Sequence, residues 1–406
     1  MTTALTLRPG VDEPVSSRGW TDRWLAAHFR ELVAVRRHIH ANPEPSGQEF
    51  ATAALVADRL ELAGLKPRRL AKGNGIICDI GRGGPIVALR ADLDALCLPD
   101  SKQVPYRSTV DNVCHACGHD VHTTSLLGAG LALAELDRAG MLPGAVRLLF
   151  QPAEEHIPSG APEMIAEGAL KDVESIYAMH CAPLFSVGQV GVRPGHFTAA
   201  LDKVEIKLAG RGGHTARPHL TADLVDALGR VVVNTPGLLS RRCDPRSGAS
   251  MVFGAVHAGE AINTIPNLGF ARATVRVLSR ETWLELPKLV TDLVSDVVAG
   301  TGVTAEVEYS RGMPPVINDP GATRTISAAA ERVLGEENVL EAELSMGAED
   351  FSYYLEHVPG AMIRLGVRPR DAADWPDLHQ SGFDVDEDAI GNAVRVFVEV
   401  ALANRG

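Results

Sequence analysis

From residue 76 onward the chain alternates short apolar runs with helical spacing, and run after run stops at residues able to bind a metal. Segments 76–80, 86–89, 146–150 and 176–179 have the length and apolar content of buried strands. Segment 123–138 is rich in Ala and Leu and reads as a helix, and helices are predicted over 22–40 and 49–61. Buried strands separated by helices predict an α/β fold, a sheet covered by helices on both faces. The order changes after Pro194. Strands at 204–208, 250–256, 270–278 and 303–309 with helices at 222–233 and 281–298 give β-α-β-β-α-β, the pattern of a small self-contained unit. Helix, strand and helix then return at 322–334, 361–366 and 387–403. The expected organisation is a loose arm at 1–19, a first domain at 20–196 resumed at 312–406, and a smaller domain inserted at 197–311.

Composition removes several function classes. The 406 residues hold 39 Lys and Arg against 51 Asp and Glu, a formal charge of −12, with no basic stripe to hold phosphates or an anionic membrane surface. No apolar run reaches the roughly 18–20 residues that span a bilayer. The N-terminus shows no apolar signal core, and six scattered cysteines suit a reducing compartment, so a cytoplasmic protein is expected.

The densest chemistry is Cys114-His115-Ala116-Cys117-Gly118-His119-Asp120-Val121-His122. Asp92 and Asp94 follow the 86–89 strand, Glu154 and Glu155 the 146–150 strand, and His180 the 176–179 strand. Ligands of open α/β sheets gather beyond the carboxyl ends of the strands, so these groups point to one assembled metal site. Neighbouring residues on an extended segment face opposite ways, so one of Glu154 and Glu155 can ligate a metal while the other takes a proton from water. Cys117-Gly118-His119 offers a thiolate and an imidazole, with Asp94 or Asp120 placed to hold the imidazole from behind. Two rivals share these residues. Cys114-x-x-Cys117 has dithiol redox spacing, and it could be half of a structural zinc site, although no second Cys-x-x-Cys exists. Gly210-Arg211-Gly212-Gly213-His214 lacks the Lys-Ser/Thr of a phosphate loop. Taken alone, His379 reads as a surface histidine and Glu349-Asp350 as a helix start.

Together the motifs resemble a known group, the aminoacylase and hippurate hydrolase branch of the dinuclear metallopeptidases, which also contains plant auxin-conjugate hydrolases. The matching segments are Leu89-Arg90-Ala91-Asp92-Leu93-Asp94-Ala95-Leu96, His115 to His122, Gln151-Pro152-Ala153-Glu154-Glu155, Met179-His180, Gly212-Gly213-His214 through Pro218-His219, Asn263-Thr264-Ile265-Pro266, Gly347-Ala348-Glu349-Asp350-Phe351 and Leu378-His379. They run in the family's order over about residues 22–403. The resemblance implies a metal-binding catalytic domain interrupted by a lid that also forms a homodimer. It implies two divalent ions, Zn or Mn before Co or Ni, held by Cys117, His119, Glu155, His180 and His379, with Cys117 bridging. Glu154 would be the general base, Asp94 would orient a ligand, and His214 would stabilise the oxyanion from the other subunit's lid. Asn263 and Arg276 would hold the polar end of the substrate. The chain departs from the family pattern at Cys97, at His156-Ile157-Pro158-Ser159, at Cys181 and at Gln380. His156 and Cys181 are expected near the metals.

The expected activity is metal-dependent hydrolysis of N-acyl amino acids, a small-molecule chemistry without nucleic acid or membrane partners. The alternatives are a dipeptidase or carboxypeptidase of the same superfamily, a Cys-x-x-Cys thiol–disulfide oxidoreductase, and a metal-binding protein without activity.

Overall fold

A computed structural model describes residues 17–83 and 86–403. The arm expected over 1–19 lies outside these residues except at its end, which is already helical. The elements in chain order are α1 (Ser17–Ala41), α2 (Phe50–Leu62), β1 (Arg68–Arg69), β2 (Ile76–Ile80), β3 (Ile86–Asp92), α3 (His119–Arg138), β4 (Ala145–Gln151), α4 (Ala161–Ala166), β5 (Val173–Ser186), β6 (Val190–Val192) and β7 (Gly195–Thr198). There follow β8 (Ala200–Ala209), β9 (Gly213–His214), α5 (Leu224–Arg242), β10 (Ser250–Ala258), β11 (Thr264–Ile265), β12 (Leu268–Val277), α6 (Arg280–Val298) and β13 (Thr304–Met313). The chain closes with β14 (Val316–Asn318), α7 (Pro320–Leu334), β15 (Val339–Glu341), α8 (Ser352–Leu355), β16 (Gly360–Arg368) and α9 (Asp388–Ala403).

The main sheet runs β1-β2-β4-β3-β5-β16-β6-β15. Its centre, from β4 through β3 and β5 to β16, is parallel. Parallel strands must be shielded on both faces, and they are. Helices α1, α3, α7 and α9 pack on one face around Leu32, Leu126, Leu133, Val394 and Phe397, all nearly inaccessible. Phe197, Phe351, Tyr354 and Met164 fill the other face. Helix α3 is buried over most of its circumference and lacks the polar stripe of a surface helix, whereas α9 keeps Asp388, Asn392, Arg395 and Glu399 along one side.

The segment from β8 to β13 builds a second sheet, ordered β10-β12-β8-β13 and antiparallel throughout. Helices α5 and α6 cover one face, and Val204, Ile206, Leu228, Val275, Leu286 and Val290 form a core of their own. Buried Asp202 organises the sheet's end next to the main sheet. It accepts hydrogen bonds from Trp283 Nε1 (3.0 Å), Tyr309 Oη (2.7 Å) and the backbone N–H of Gly312 (2.8 Å). Among the described residues no helix is long and apolar enough to cross a membrane.

Several elements run past their sequence-based limits, and the extensions matter for the site. Helix α3 begins at His119 rather than 123, β3 reaches Asp92, and β5 continues to Ser186 through His180 and Cys181. In each case burial of polar residues extends an element that apolar patterning alone would have ended. Helix α5 likewise runs on to Arg242 through Pro236.

Candidate metal centre and active-site cleft

The cleft opens where the parallel strands end. Strand β3 ends at Asp92, the chain leaves β4 through Ala153 to Glu154 and Glu155, and β5 carries His180. Opposite them, Cys117-Gly118-His119 leads into α3. Gly118 sits at φ 84°, a left-handed conformation that glycine adopts without strain. A Cβ there would stand 2.7 Å from Cys181 Sγ, so only glycine fits. Of the four non-glycine residues with positive φ among those described, two are here, Ala153 (54°) beside Glu154 and His379 (62°). Strained backbone of this kind persists where surroundings impose it, and His379 is pinned by its N–H to the Ala116 carbonyl at 2.8 Å.

Six candidate residues converge. Potential ligand atoms of Cys117, His119 and His180 lie within 4.8 Å of one another, as do those of Cys117, Glu155 and His379, and those of His119, Glu154 and Glu155. Cys117, His119 and Glu155 each belong to two of these three groups, so the groups adjoin one another. His379 Nε2 lies 3.2 Å from Glu155 Oε1.

Hydrogen bonds fix which imidazole nitrogens face the cluster. His180 Nδ1 is 2.7 Å from the Cys181 carbonyl, an acceptor only, so Nδ1 carries the proton and Nε2 keeps its lone pair. That Nε2 is 3.5 Å from Cys117 Sγ. Burial, helped by neighbouring His122 and Arg364, holds the His180 pKa well below its usual range, so the ring is neutral. His122 is locked differently. Its Nε2 accepts the Cys181 N–H at 2.8 Å, so Nδ1 donates to Asp92 Oδ1 at 2.6 Å. Asp92 in turn accepts from Arg90 at 2.7 Å. His122 therefore ties α3 to β5 and β3 and has no nitrogen left for an ion.

Asp94 holds the other side. Its Oδ2 accepts from Ser46 Oγ (2.6 Å) and from the backbone N–H of Glu155 (3.0 Å), and its Oδ1 stands 3.3 Å from His119 Nδ1. Asp120 does not face His119. It pairs with Arg36 and His40, both at 2.7 Å.

The acid–base character of the cluster is pushed far from solution values. Burial raises the Glu154 pKa well above the carboxylate range, and Glu349, Glu155 and Asp350 raise it further. Burial also raises the Cys117 thiol, with Glu155 and Glu154 acting in the same sense. Burial works to lower His119, yet Asp92 and Asp94 carry it up to about 10. These groups crowd negative charge and lone pairs around one space.

Whether cations fit can be judged from the donors. His119 Nε2 is buried and makes no hydrogen bond, its nearest carboxylate oxygens being 3.9 and 4.0 Å away on Glu155 and Glu154. Such an atom is costly without a partner, and here it converges with two carboxylates, a thiol and a second imidazole. Mixed sulfur, nitrogen and carboxylate donors suit Zn, Mn, Co or Ni better than Mg or Ca. The residues fit a divalent cation site.

The surrounding cleft has a volume of about 710 Å³, and its walls include Ile157, Leu184, Phe185, Leu201, Arg276, Leu344, Met346, Glu349 and Arg364. Arg276, on β12, donates to the Met346 carbonyl. His214 and Asn263 are elsewhere. His214 lies on β9, pairs with Thr264 of β11 and is exposed, and the Asn263 carbonyl accepts the Thr215 N–H at 3.1 Å. Neither lines the cleft of its own chain. Cys181 lines it, its thiol 3.7 Å from the Gly118 carbonyl, whereas His156 turns to solvent with its ring 3.3 Å from the Pro158 carbonyl.

The redox reading loses support here. Cys114 and Cys117 are unpaired thiols, and burial raises Cys114 to about 11, the reverse of the low pKa of a reactive dithiol. Sequence patterning missed two cleft residues. Glu349, which read as a helix start, stands close to Glu154, and Arg364 lies in what read as an apolar strand. A charged residue inside that strand was the available signal.

Comparison with known proteins agrees with this geometry. The model of Peptidase family M20/M25/M40 matches residues 88–403. The chain is 34% identical to the N-acetyl-L-cysteine deacetylase of Bacillus subtilis (strain 168), covering 92% of this chain and 88% of that protein. It is 35% identical to the IAA-amino acid hydrolase ILR1-like 2 of Arabidopsis thaliana, covering 92% and 85%. A Bacillus subtilis crystal structure described as a dinuclear metal binding peptidase from the M20 family superposes with a TM-score of 0.82 at 33% identity, covering 93% and 98%. The chain also spans 46% of a longer Rhodococcus jostii (strain RHA1) protein named glutamate–cysteine ligase 2-3, at 45% identity over 91% of this chain.

Proposed function

This chain belongs to peptidase family M20/M25/M40, a family of amide-bond hydrolases, and we propose that it cleaves N-acyl amino acids to a carboxylic acid and an amino acid. The observation that carries the reading is the cluster of Cys117, His119, Glu154, Glu155, His180 and His379 in one cleft. The deacetylase and auxin-conjugate hydrolase names of its relatives support an acyl amino acid over a free peptide.

Cys117, His119, Glu155, His180 and His379 would hold two divalent cations, Zn or Mn first, as the dinuclear relative supports. When bound, such ions polarise the scissile carbonyl and acidify water. Glu154 is the proton carrier. It takes a proton from the attacking water and delivers it to the leaving nitrogen, a role suited to a carboxylate whose proton affinity is raised by burial and by Glu349 beside it. Asp94 orients His119, and the Asp92–His122 pair keeps α3 and β5 in register. Arg276 on the cleft wall binds the α-carboxylate.

The segment 197–311 acts as lid and dimerisation domain. The exposure of His214 and Asn263 away from their own cleft supports their service in the partner's site, where His214 would stabilise the oxyanion. The unpaired cysteines support a cytoplasmic setting. The test is amine release from N-acyl amino acids and dipeptides by chelator-stripped enzyme before and after adding Mn or Zn. Metal-restored cleavage favouring acyl amino acids is expected, and cleavage of dipeptides alone would reject the assignment.

A further inference from the structure

Arg364 is a cleft cation that makes no ion pair among the described residues. It projects from β16 at the position paired with His180 of β5 and lines the same cleft as Cys117 and His180. The side chain is partly buried. Its guanidinium lies over the Phe197 ring, 4.7 Å from the centroid. Among the described residues it makes no ion pair or hydrogen bond with protein. Glu349, whose charge reaches it, is already held by Arg90 at 3.3 Å.

The fully buried arginines, Arg36 and Arg90, show how unusual this is. Arg36 meets Asp120, Asp384 and Glu387, and Arg90 meets Asp92, Glu349 and Asp350. Drawing a guanidinium out of water without a carboxylate is costly, and an anion brought to it recovers that cost. The contact with Phe197 satisfies none of its N–H donors, the groups that grip a carboxylate bidentately. The acids on the cleft rim, Glu343 and Asp377, are exposed, so solvent screens their repulsion of an entering anion.

We propose that Arg364 determines specificity by binding a second anionic group of the substrate, so that the preferred N-acyl amino acids carry a carboxylate beyond the α-carboxylate held by Arg276. This rests on the hydrolase reading above and narrows it to dianionic substrates.

The test uses metal-loaded enzyme and two matched pairs, N-acetyl-glutamate against N-acetyl-glutamine, and N-succinyl-alanine against N-butanoyl-alanine. The pairs place the extra charge on the amine side or the acyl side. Wild type should prefer the dianionic member of one pair by roughly 10–100-fold in kcat/KM, below the discrimination of a fully closed polar site because this cleft is open to water. Arg364→Gln should erase that preference by raising KM for the dianion while changing the neutral partner by about twofold or less, and Arg364→Lys should restore part of it. Equal handling of both members of both pairs by wild type overturns the proposal without any variant. So does a variant that slows both members equally, the mark of a structural role. Failure to cleave any of the four with any metal would overturn the hydrolase reading, and this inference with it.

Discussion

His119 turns Nδ1 toward Asp94, 3.3 Å from Oδ1, and that orientation leaves Nε2 facing Glu154 and Glu155 at 4.0 and 3.9 Å. Asp94 is itself fixed, since its other oxygen takes the Ser46 hydroxyl and the Glu155 N–H. One carboxylate thus aims an imidazole and anchors the backbone of a neighbouring donor. Replacing Asp94 by Asn removes the charge behind the ring and turns part of an acceptor into a donor. Metal affinity should fall roughly 10–100-fold with the fold intact. Titration of stripped protein with Zn or Mn checks this, and unchanged affinity would show that Asp94 does not position His119.

Glu154 lies within a group that includes Glu349 and Asp350, and burial keeps its proton affinity high. Glu154→Gln preserves shape and removes the proposed base. Turnover should fall by about 10²–10⁴-fold, the usual contribution of a general base, with two ions still bound per chain. Steady-state rates with elemental analysis separate this outcome from metal loss.

His214 lies outside its own cleft, on the short pairing of β9 with β11. His214→Ala should cut turnover without stripping metal. If each site draws His214 from the partner, mixing the inactive Glu154→Gln and His214→Ala proteins under subunit exchange should regain activity, because a mixed dimer holds one intact site. No recovery in a sample shown to have exchanged would show that His214 does not act from the partner subunit.

Stability should depend on the Arg36–Asp120 pair, both fully buried at 2.7 Å. Burial works to raise the Asp120 pKa, but Arg36 and His40 override it and hold the carboxylate well below its ordinary value. A depressed folded pKa means stabilisation that is complete above the unfolded value and is lost as pH falls through it toward the folded one. The protein should therefore weaken below about pH 4. Arg36→Met leaves Asp120, Asp384 and Glu387 without their cation, and unfolding free energy at pH 7 should drop by about 3–5 kcal/mol. Urea titrations at pH 7 and pH 4 should show a smaller penalty in acid, where the stranded carboxylates protonate.

The α/β alternation and the β-α-β-β-α-β order were legible because apolar periodicity reports which faces are buried. The ends of elements were not. Patterning stops β3 at Leu89 and starts α3 at Thr123, since Asp92, His119 and His122 look like loop residues. They lie inside elements because the Arg90–Asp92–His122 chain satisfies two of them in the interior and Asp94 faces His119. Motif order brought Cys117, His119, Glu154, Glu155, His180 and His379 into view as a set, whereas geometry divides them into groups that overlap at Cys117, His119 and Glu155. Arg364 stayed hidden. Its meaning depends on what is missing around it, and a sequence cannot show the lack of a counterion.

The most direct test of the account is amine release from N-acyl amino acids by wild type and Glu154→Gln, each stripped of metal and then reloaded with Mn or Zn. The account predicts no release from stripped protein, restored release by reloaded wild type, and little release by reloaded Glu154→Gln. Release that survives metal removal, or a Glu154→Gln protein as fast as wild type, would contradict it.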